Sequence, residues 1–271
     1  MNNYIQIKIE DLTSEQSEIL IAELGDHGFN GFEEGENFLN AYIEEKNLNE
    51  DELQKIIAWH QLRFTKNVIE QKNWNEEWEK NFEPVIVKDF VAVRAEFHQP
   101  VKTVKHEIII TPKMSFGTGH HATTFLMMQV MHDIDFENKT VFDFGTGTGI
   151  LAILAEKLGA SSIAAIDNDT WSINNAKENI ERNHCRNIHL RLSNTLPATA
   201  KFNIILANIN KNVIMEHLKA LSQLVDENGQ VLVSGFLPDD EPDILNLAYK
   251  IGLKHKHIFQ RDQWIAIWLI P

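Results

Sequence analysis

Apolar and polar residues follow one rhythm near the start of this chain and another further along. Residues 4–9, Y-I-Q-I-K-I, alternate singly, as a strand with one buried face requires. From Ser14 to Leu24 the apolar positions recur at helical spacing, with Ser14 or Thr13 as cap and Gly25 as stop. A strand pair around Phe38 to Ile43, a helix from Asn49 to His60 and a strand or linker near Phe64 to Ile69 follow. This mixture predicts a small α+β domain over residues 1–66. Next, W-N-E-E-W-E-K-N-F-E-P sets Trp74, Trp78 and Phe82 at i, i+4 and i+8, one face of a helix that Pro84 ends. A packed inter-domain helix over residues 67–84 is expected, rather than an aromatic ligand box.

Residues 85–271 form the second predicted domain. The runs V-I-V-K-D-F-V-A-V-R and H-E-I-I-I read as strands leading into it. Strands are then expected at 140–144, 162–167, 188–193, 203–209, 230–235, 255–260 and 264–270, with helices at 150–158, 170–182, 211–225 and 240–251. Strict β/α alternation means a parallel sheet covered on both faces. The last two strands are joined too tightly for a crossover, so they form an antiparallel hairpin. The predicted class is α/β: a Rossmann-like seven-stranded domain of the class I methyltransferase kind, preceded by the small α+β domain.

Composition adds limits. Hydrophobic residues make up 43% and charged residues 24%, as in soluble globular proteins. No apolar run reaches spanning length, and the start M-N-N-Y-I-Q-I-K-I-E lacks signal-peptide features, so a cytoplasmic protein without membrane contact is expected. The single Cys185 cannot form an internal disulfide and reads as a small packing side chain. Residues 1–100 carry 9 Lys+Arg against 21 Asp+Glu, which is −12 of the total −14. Such a surface repels phosphate backbones, and it serves either to attract a basic partner or simply to keep the protein soluble.

The chemistry begins at T-V-F-D-F-G-T-G-T-G, residues 140–149, with Asp167 standing 22 positions after Gly145. A strand, a turn of alternate glycines, a helix and an acid at the next strand end make a nucleoside-cofactor site. Ile150 stands where a dinucleotide fingerprint needs its last glycine, so no pyrophosphate is cradled. Gly145, Gly147 and Gly149 admit close ligand approach, and the helix start favours a carboxylate, which suits the amino-acid end of S-adenosylmethionine. Asp167 can accept both ribose hydroxyls, and Asp169 or Thr170 caps the next helix. Asn208 ends the strand F-N-I-I-L-A-N beside the expected methyl position. Ile209 and Asn210 replace the prolines found there in base- and amide-methylating enzymes. In P-K-M-S-F-G-T-G-H-H-A-T-T-F, Gly117 and Gly119 make a close-approach loop while Thr123 and Thr124 offer hydroxyls. Adjacent His120 and His121 do not share a helical face, and no metal is expected.

With F-G-T-G-H-H-A-T-T, D-F-G-T-G-T-G-I-L-A-I-L-A-E-K-L-G-A, Ala207-Asn208-Ile209 and W-N-E-E-W-E-K-N-F-E-P together, the chain resembles the methyltransferases of large-subunit ribosomal protein eleven over most of residues 70–271. That resemblance implies S-adenosylmethionine as cofactor and methylation of lysine side-chain and N-terminal amines of that basic ribosomal protein. It also implies substrate recognition by the N-terminal domain and no direct sequence-specific nucleic-acid contact. A monomer is expected. The family's cofactor contacts fall on Thr124, Gly145, Asp167 and Asn208; Phe116, Thr123, Gly147 and Gly149 complete the expected set. Asn208 is the expected catalytic residue, orienting the amine while water takes its proton. Thr146 and Thr148 replace the commoner Cys or Ser and are expected to face solvent or a helix. Asn210-Lys211-Asn212 departs from the family's small apolar residues on the substrate side.

Overall fold

The computed structural model describes residues 3–69, 82–112 and 119–271. Trp74, Trp78, Phe116 and Gly117 lie outside the described residues, as do residues 70–81 of the expected inter-domain helix; at its described ends, residues 67–69 belong to a strand and residues 82–84 are not helical. The chain divides into two compact units, Met1–Asn81 and Phe82–Pro271.

The first unit runs β1 (Tyr4–Glu10), α1 (Ser14–Asp26), β2 (Gly31–Gly35), β3 (Phe38–Glu44), α2 (Glu50–Trp59) and β4 (Phe64–Ile69). Its sheet order is β2-β3-β1-β4, with every neighbouring pair antiparallel. Ile5, Ile7 and Ile9 alternate inward beside Leu39, Ala41 and Ile43, and bury Leu20 and Leu24 of α1 with Leu53 and Ile57 of α2. Thr13 is the cap of α1: its hydroxyl accepts the Gln16 N–H at 3.2 Å, and Gln16 Oε1 accepts the Thr13 N–H at 3.0 Å. The expected stop at Gly25 moves to Gly28. Gly25 lies within α1, whereas Gly28 takes φ +90° and closes the helix end. The Phe29 N–H bonds Leu24 O and the Gly28 N–H bonds Gly25 O, both at 3.1 Å, which satisfies the last carbonyls.

The second unit begins with a three-stranded sheet of β5 (Val85–Val87), β6 (Val91–Ala95) and β7 (His106–Ile110). There follow α3 (Ala122–Met131), β8 (Thr140–Phe144), α4 (Ile150–Lys157), β9 (Ser162–Asp167), α5 (Thr170–Arg182), β10 (Ile188–Leu192) and β11 (Phe202–Asn208). Then come α6 (Lys211–Leu224), β12 (Val225–Phe236), α7 (Glu241–Lys250), β13 (Lys254–Arg261) and β14 (Trp264–Ile270). The seven-stranded order is β10-β9-β8-β11-β12-β14-β13. Strands β8 to β12 are parallel, while β14 is antiparallel to both β12 and β13. This is the class I methyltransferase fold.

Successive residues of the central strands serve different cores. Val141, Ile204 and Leu206 pack with Met127, Ile150 and Leu154 on one face, while Phe142, Ile205 and Ala207 pack with Ile214, Leu218 and Ile244 on the other. That is why these strands are apolar throughout rather than alternating. The chain winds outward from β8 to β10 and then returns to β11, so the strand order switches between β8 and β11. Ligand sites of open α/β sheets form at the carboxyl side of such a point. Among the described residues no helix is long and apolar enough to cross a membrane.

Candidate active site

At the carboxyl end of β8 the chain makes a turn that needs its glycines. Gly145, Gly147 and Gly149 have φ of +75°, +55° and +79°. The Gly145 and Thr146 N–H groups both reach Ile166 O at 2.9 Å, tying the turn to β9. A Cβ on Gly149, the residue capping α4, would lie 3.3 Å from the Ala176 Cβ. Ile150, the first residue of α4, is buried in the apolar core, so the position a dinucleotide site reserves for glycine holds a packing side chain here.

Asp167 ends β9 one strand away. Its Oδ2 accepts the Gly147 N–H at 2.9 Å and its Oδ1 the Asp169 N–H at 3.0 Å. An ionised carboxylate offers about four lone-pair sites, so both oxygens keep capacity for hydroxyl donors. Of the two candidate caps, Asp169 caps α5: its carboxylate accepts the N–H groups of Trp171 and Ser172 at 3.3 and 2.9 Å.

Across the switch point, Asn208 ends β11 and donates from Nδ2 to Thr124 Oγ1 at 3.2 Å, a contact between residues 84 apart in the chain. Thr123 and Thr124 are buried in the first turn of α3. The two histidines before them diverge. His120 Nε2 lies 2.8 Å from Glu83 O, and its ring packs on Phe82 at 4.6 Å. His121 caps α3, with Nδ1 2.8 Å from Thr123 Oγ1, and meets the Trp264 ring at 4.7 Å. Asn210 caps α6, its Oδ1 accepting the Val213 N–H at 3.2 Å, so this departure from the family pattern starts a helix. The signal was present in the sequence, as an Asn directly before a helical run.

Two features lie beyond the sequence reading. Thr146 and Thr148 are 5% and 1% exposed and do not face solvent. The turn folds inward, and the Thr146 hydroxyl donates to Asp143 Oδ2 at 2.6 Å. Asp143 itself is buried, and its Oδ1 has no hydrogen-bond partner among the described residues. Burial pushes its carboxyl up to about 7; the Asp167 charge adds to this and the Thr146 hydrogen bond opposes it.

An unfolded Asp titrates near ~3.9, so between there and about 7 only the folded chain holds this proton. Its contribution to stability is therefore complete below ~pH 4 and lost as pH rises towards 7. Asp143→Asn should remove that loss. Between pH 5 and pH 8 the wild type is expected to lose about 2–3 kcal/mol relative to the variant, read by urea unfolding. Parallel pH profiles for the two proteins would refute the buried-acid account.

The chain as a whole resembles known proteins. A family model described as "Ribosomal protein L11 methyltransferase (PrmA)" matches residues 5–270. The chain is 39% identical over 271 residues to the ribosomal protein L11 methyltransferase of Porphyromonas gingivalis, covering 97% of this chain and 93% of that one. It is 38% identical over 283 residues to that of Chlorobaculum tepidum, covering 100% and 97%. The crystal structure of ribosomal protein L11 methylase from Lactobacillus delbrueckii subsp. bulgaricus superposes with a TM-score of 0.64 at 30% identity, over 69% of this chain and 97% of that one.

Proposed function

Because the chain belongs to the ribosomal protein L11 methyltransferase family, we propose that it transfers methyl groups from S-adenosylmethionine to lysine side-chain and N-terminal amines of ribosomal protein L11. The observation that carries this reading is the convergence at one sheet edge of the glycine turn, Asp167 and the Asn208–Thr124 pair. The residues present suit the cofactor. Asp167 retains acceptor capacity for ribose hydroxyls, and the turn's left-handed glycines present backbone rather than side chains. The positive end of α4 favours a carboxylate. Gly145, Gly147, Gly149, Asp167, Thr123, Thr124 and Asn208 would hold the group, with Phe116 added from the sequence motif.

When bound, S-adenosylmethionine supplies an electrophilic methyl group on its sulfonium. The protein's task is to present a neutral amine. A free lysine titrates near ~10.4, so only a few in ten thousand are neutral at pH 7. Desolvation at the sheet edge lowers that value. Asn208 Nδ2 is committed to Thr124, which leaves Oδ1 to accept an amine N–H and fix the direction of the nitrogen lone pair. Water takes the released proton. The acidic first unit attracts the basic ribosomal protein.

The test is incubation with labelled S-adenosylmethionine and purified ribosomal proteins, followed by mass spectrometry. Label on the L11 protein at lysine and N-terminal nitrogens is expected; label on RNA, or on another protein alone, would overturn the assignment.

A further inference from the structure

The segment that carries Asn208 is gripped from both neighbouring strands. Asn208 pairs with Ser234 of β12, and the ladder continues one residue beyond the strand, with the Ile209 N–H donating to Ser234 O at 3.0 Å. Ser234 is fully buried, and its hydroxyl donates to Ile265 O of β14 at 2.8 Å. Gly235 follows with φ +105°, and the β12–β14 register shifts between Ser234 and Phe236, the mark of a bulge.

Two close approaches meet at Ile209. A Cβ on Gly235 would lie 2.2 Å from the Ile209 carbonyl oxygen and 2.7 Å from its carbonyl carbon. These are backbone atoms and cannot step aside as a flexible side chain could. On the other flank, a Cβ on Gly145 would meet the Ile209 Cγ2. Strand β11 lies between β8 and β12, so one residue touches the glycine turn at the end of β8 and the bulge at the end of β12.

We infer that Gly235 and Ile209 are positioning residues for methyl transfer: the bulge seats the Ile209 backbone, and the Ile209 side chain spaces the cofactor turn from Asn208. The inference rests on the proposed role of Asn208 towards the amine. Misplacing a reacting group by about 1 Å costs about 10²-fold in rate, so a shift of this segment has a kinetic signature. A group that only stabilised the fold would change the unfolding midpoint and leave the turnover of folded enzyme alone.

Four variants test it: Gly235→Ala, Ile209→Ala, Ile209→Val and, as reference, Asn208→Ala. Steady-state turnover on the L11 protein, calorimetric S-adenosylmethionine affinity and the fraction folded by circular dichroism are measured for each. Gly235→Ala should lower kcat by about 10²-fold. Its cofactor affinity should stay within about threefold, which is roughly 0.6 kcal/mol. Ile209→Ala, which lacks the γ carbons, should lower kcat at least tenfold, about 1.4 kcal/mol in the barrier, and weaken cofactor affinity several-fold. Ile209→Val keeps a branched Cβ with both γ carbons and should restore turnover to within about twofold, or roughly 0.4 kcal/mol. If Gly235→Ala fails to fold, the contrast between the two Ile209 variants decides. Wild-type kcat in folded Gly235→Ala or in Ile209→Ala, or equal losses in Ile209→Ala and Ile209→Val, would overturn the inference while Asn208→Ala still lost activity. Full turnover in Asn208→Ala would instead defeat the Asn208 reading on which it rests.

Discussion

Asp167→Ala is expected to weaken S-adenosylmethionine binding by about 100-fold or more while leaving the fold intact. Asp167 is half-buried at the end of β9 and belongs to neither apolar core of the sheet. Two ribose hydroxyls donating to a carboxylate each contribute ~1.5 kcal/mol or more, and losing both removes about 3 kcal/mol, or roughly 10²-fold in Kd. The carboxylate also holds the Gly147 N–H at 2.9 Å, so the variant loosens the turn as well as the ligand contact. Asp167→Asn separates the two effects. It keeps one carbonyl acceptor and the shape, but loses the charge and directs an NH₂ group at a backbone N–H, so binding should fall to an intermediate level. Calorimetry reads both variants. Affinity within about threefold of wild type in Asp167→Ala would show that Asp167 does not contact the ribose; that interval is only about 0.6 kcal/mol.

Asn208→Ala should lower kcat by about 10² to 10³-fold, the range seen when one oriented polar group is taken from a catalytic site. The methyl group of Ala can neither bond Thr124 Oγ1 nor accept from an amine. Asn208→Asp sharpens the test through its sign. A carboxylate beside the amine favours the ammonium form and raises its pKa, so the rising limb of kcat/KM against pH should move to higher pH. An unmoved limb, together with full turnover in Asn208→Ala, would place the amine elsewhere.

Much of this molecule was readable from the chain because its larger sheet is built from regular local units. Strands at 140–144, 162–167 and 264–270 and the helix at 170–182 occur where the apolar pattern places them. Other boundaries moved for identifiable reasons. Strand β12 starts at Val225 rather than 230, through D-E-N-G, whose polar composition hides the early pairing of Val225 with Phe202. Strand β11 stops at Asn208, because Asn210 caps the following helix and Ile209 belongs to the connection. Helix α1 passes through Gly25, since the left-handed closing position falls three residues later.

The site divides along the same line. Gly145, Gly147, Gly149 and Asp167 announce themselves because a turn's dihedral demands and a strand end are properties of adjacent residues. The partners of these residues are not. That Asn208 meets Thr124 and that Ile209 fills the space between Gly145 and Gly235 depend on segments that only the folded sheet brings together. By itself the sequence determined the order of elements, the sheet class, the acidic front unit and the glycine turn followed by an acid at the next strand end, since periodicity and turn chemistry are encoded locally. Only the tertiary structure decided which carboxyl is desolvated, which glycines tolerate no Cβ and where Asn208 points, because desolvation and close approach are imposed by neighbours distant in the chain.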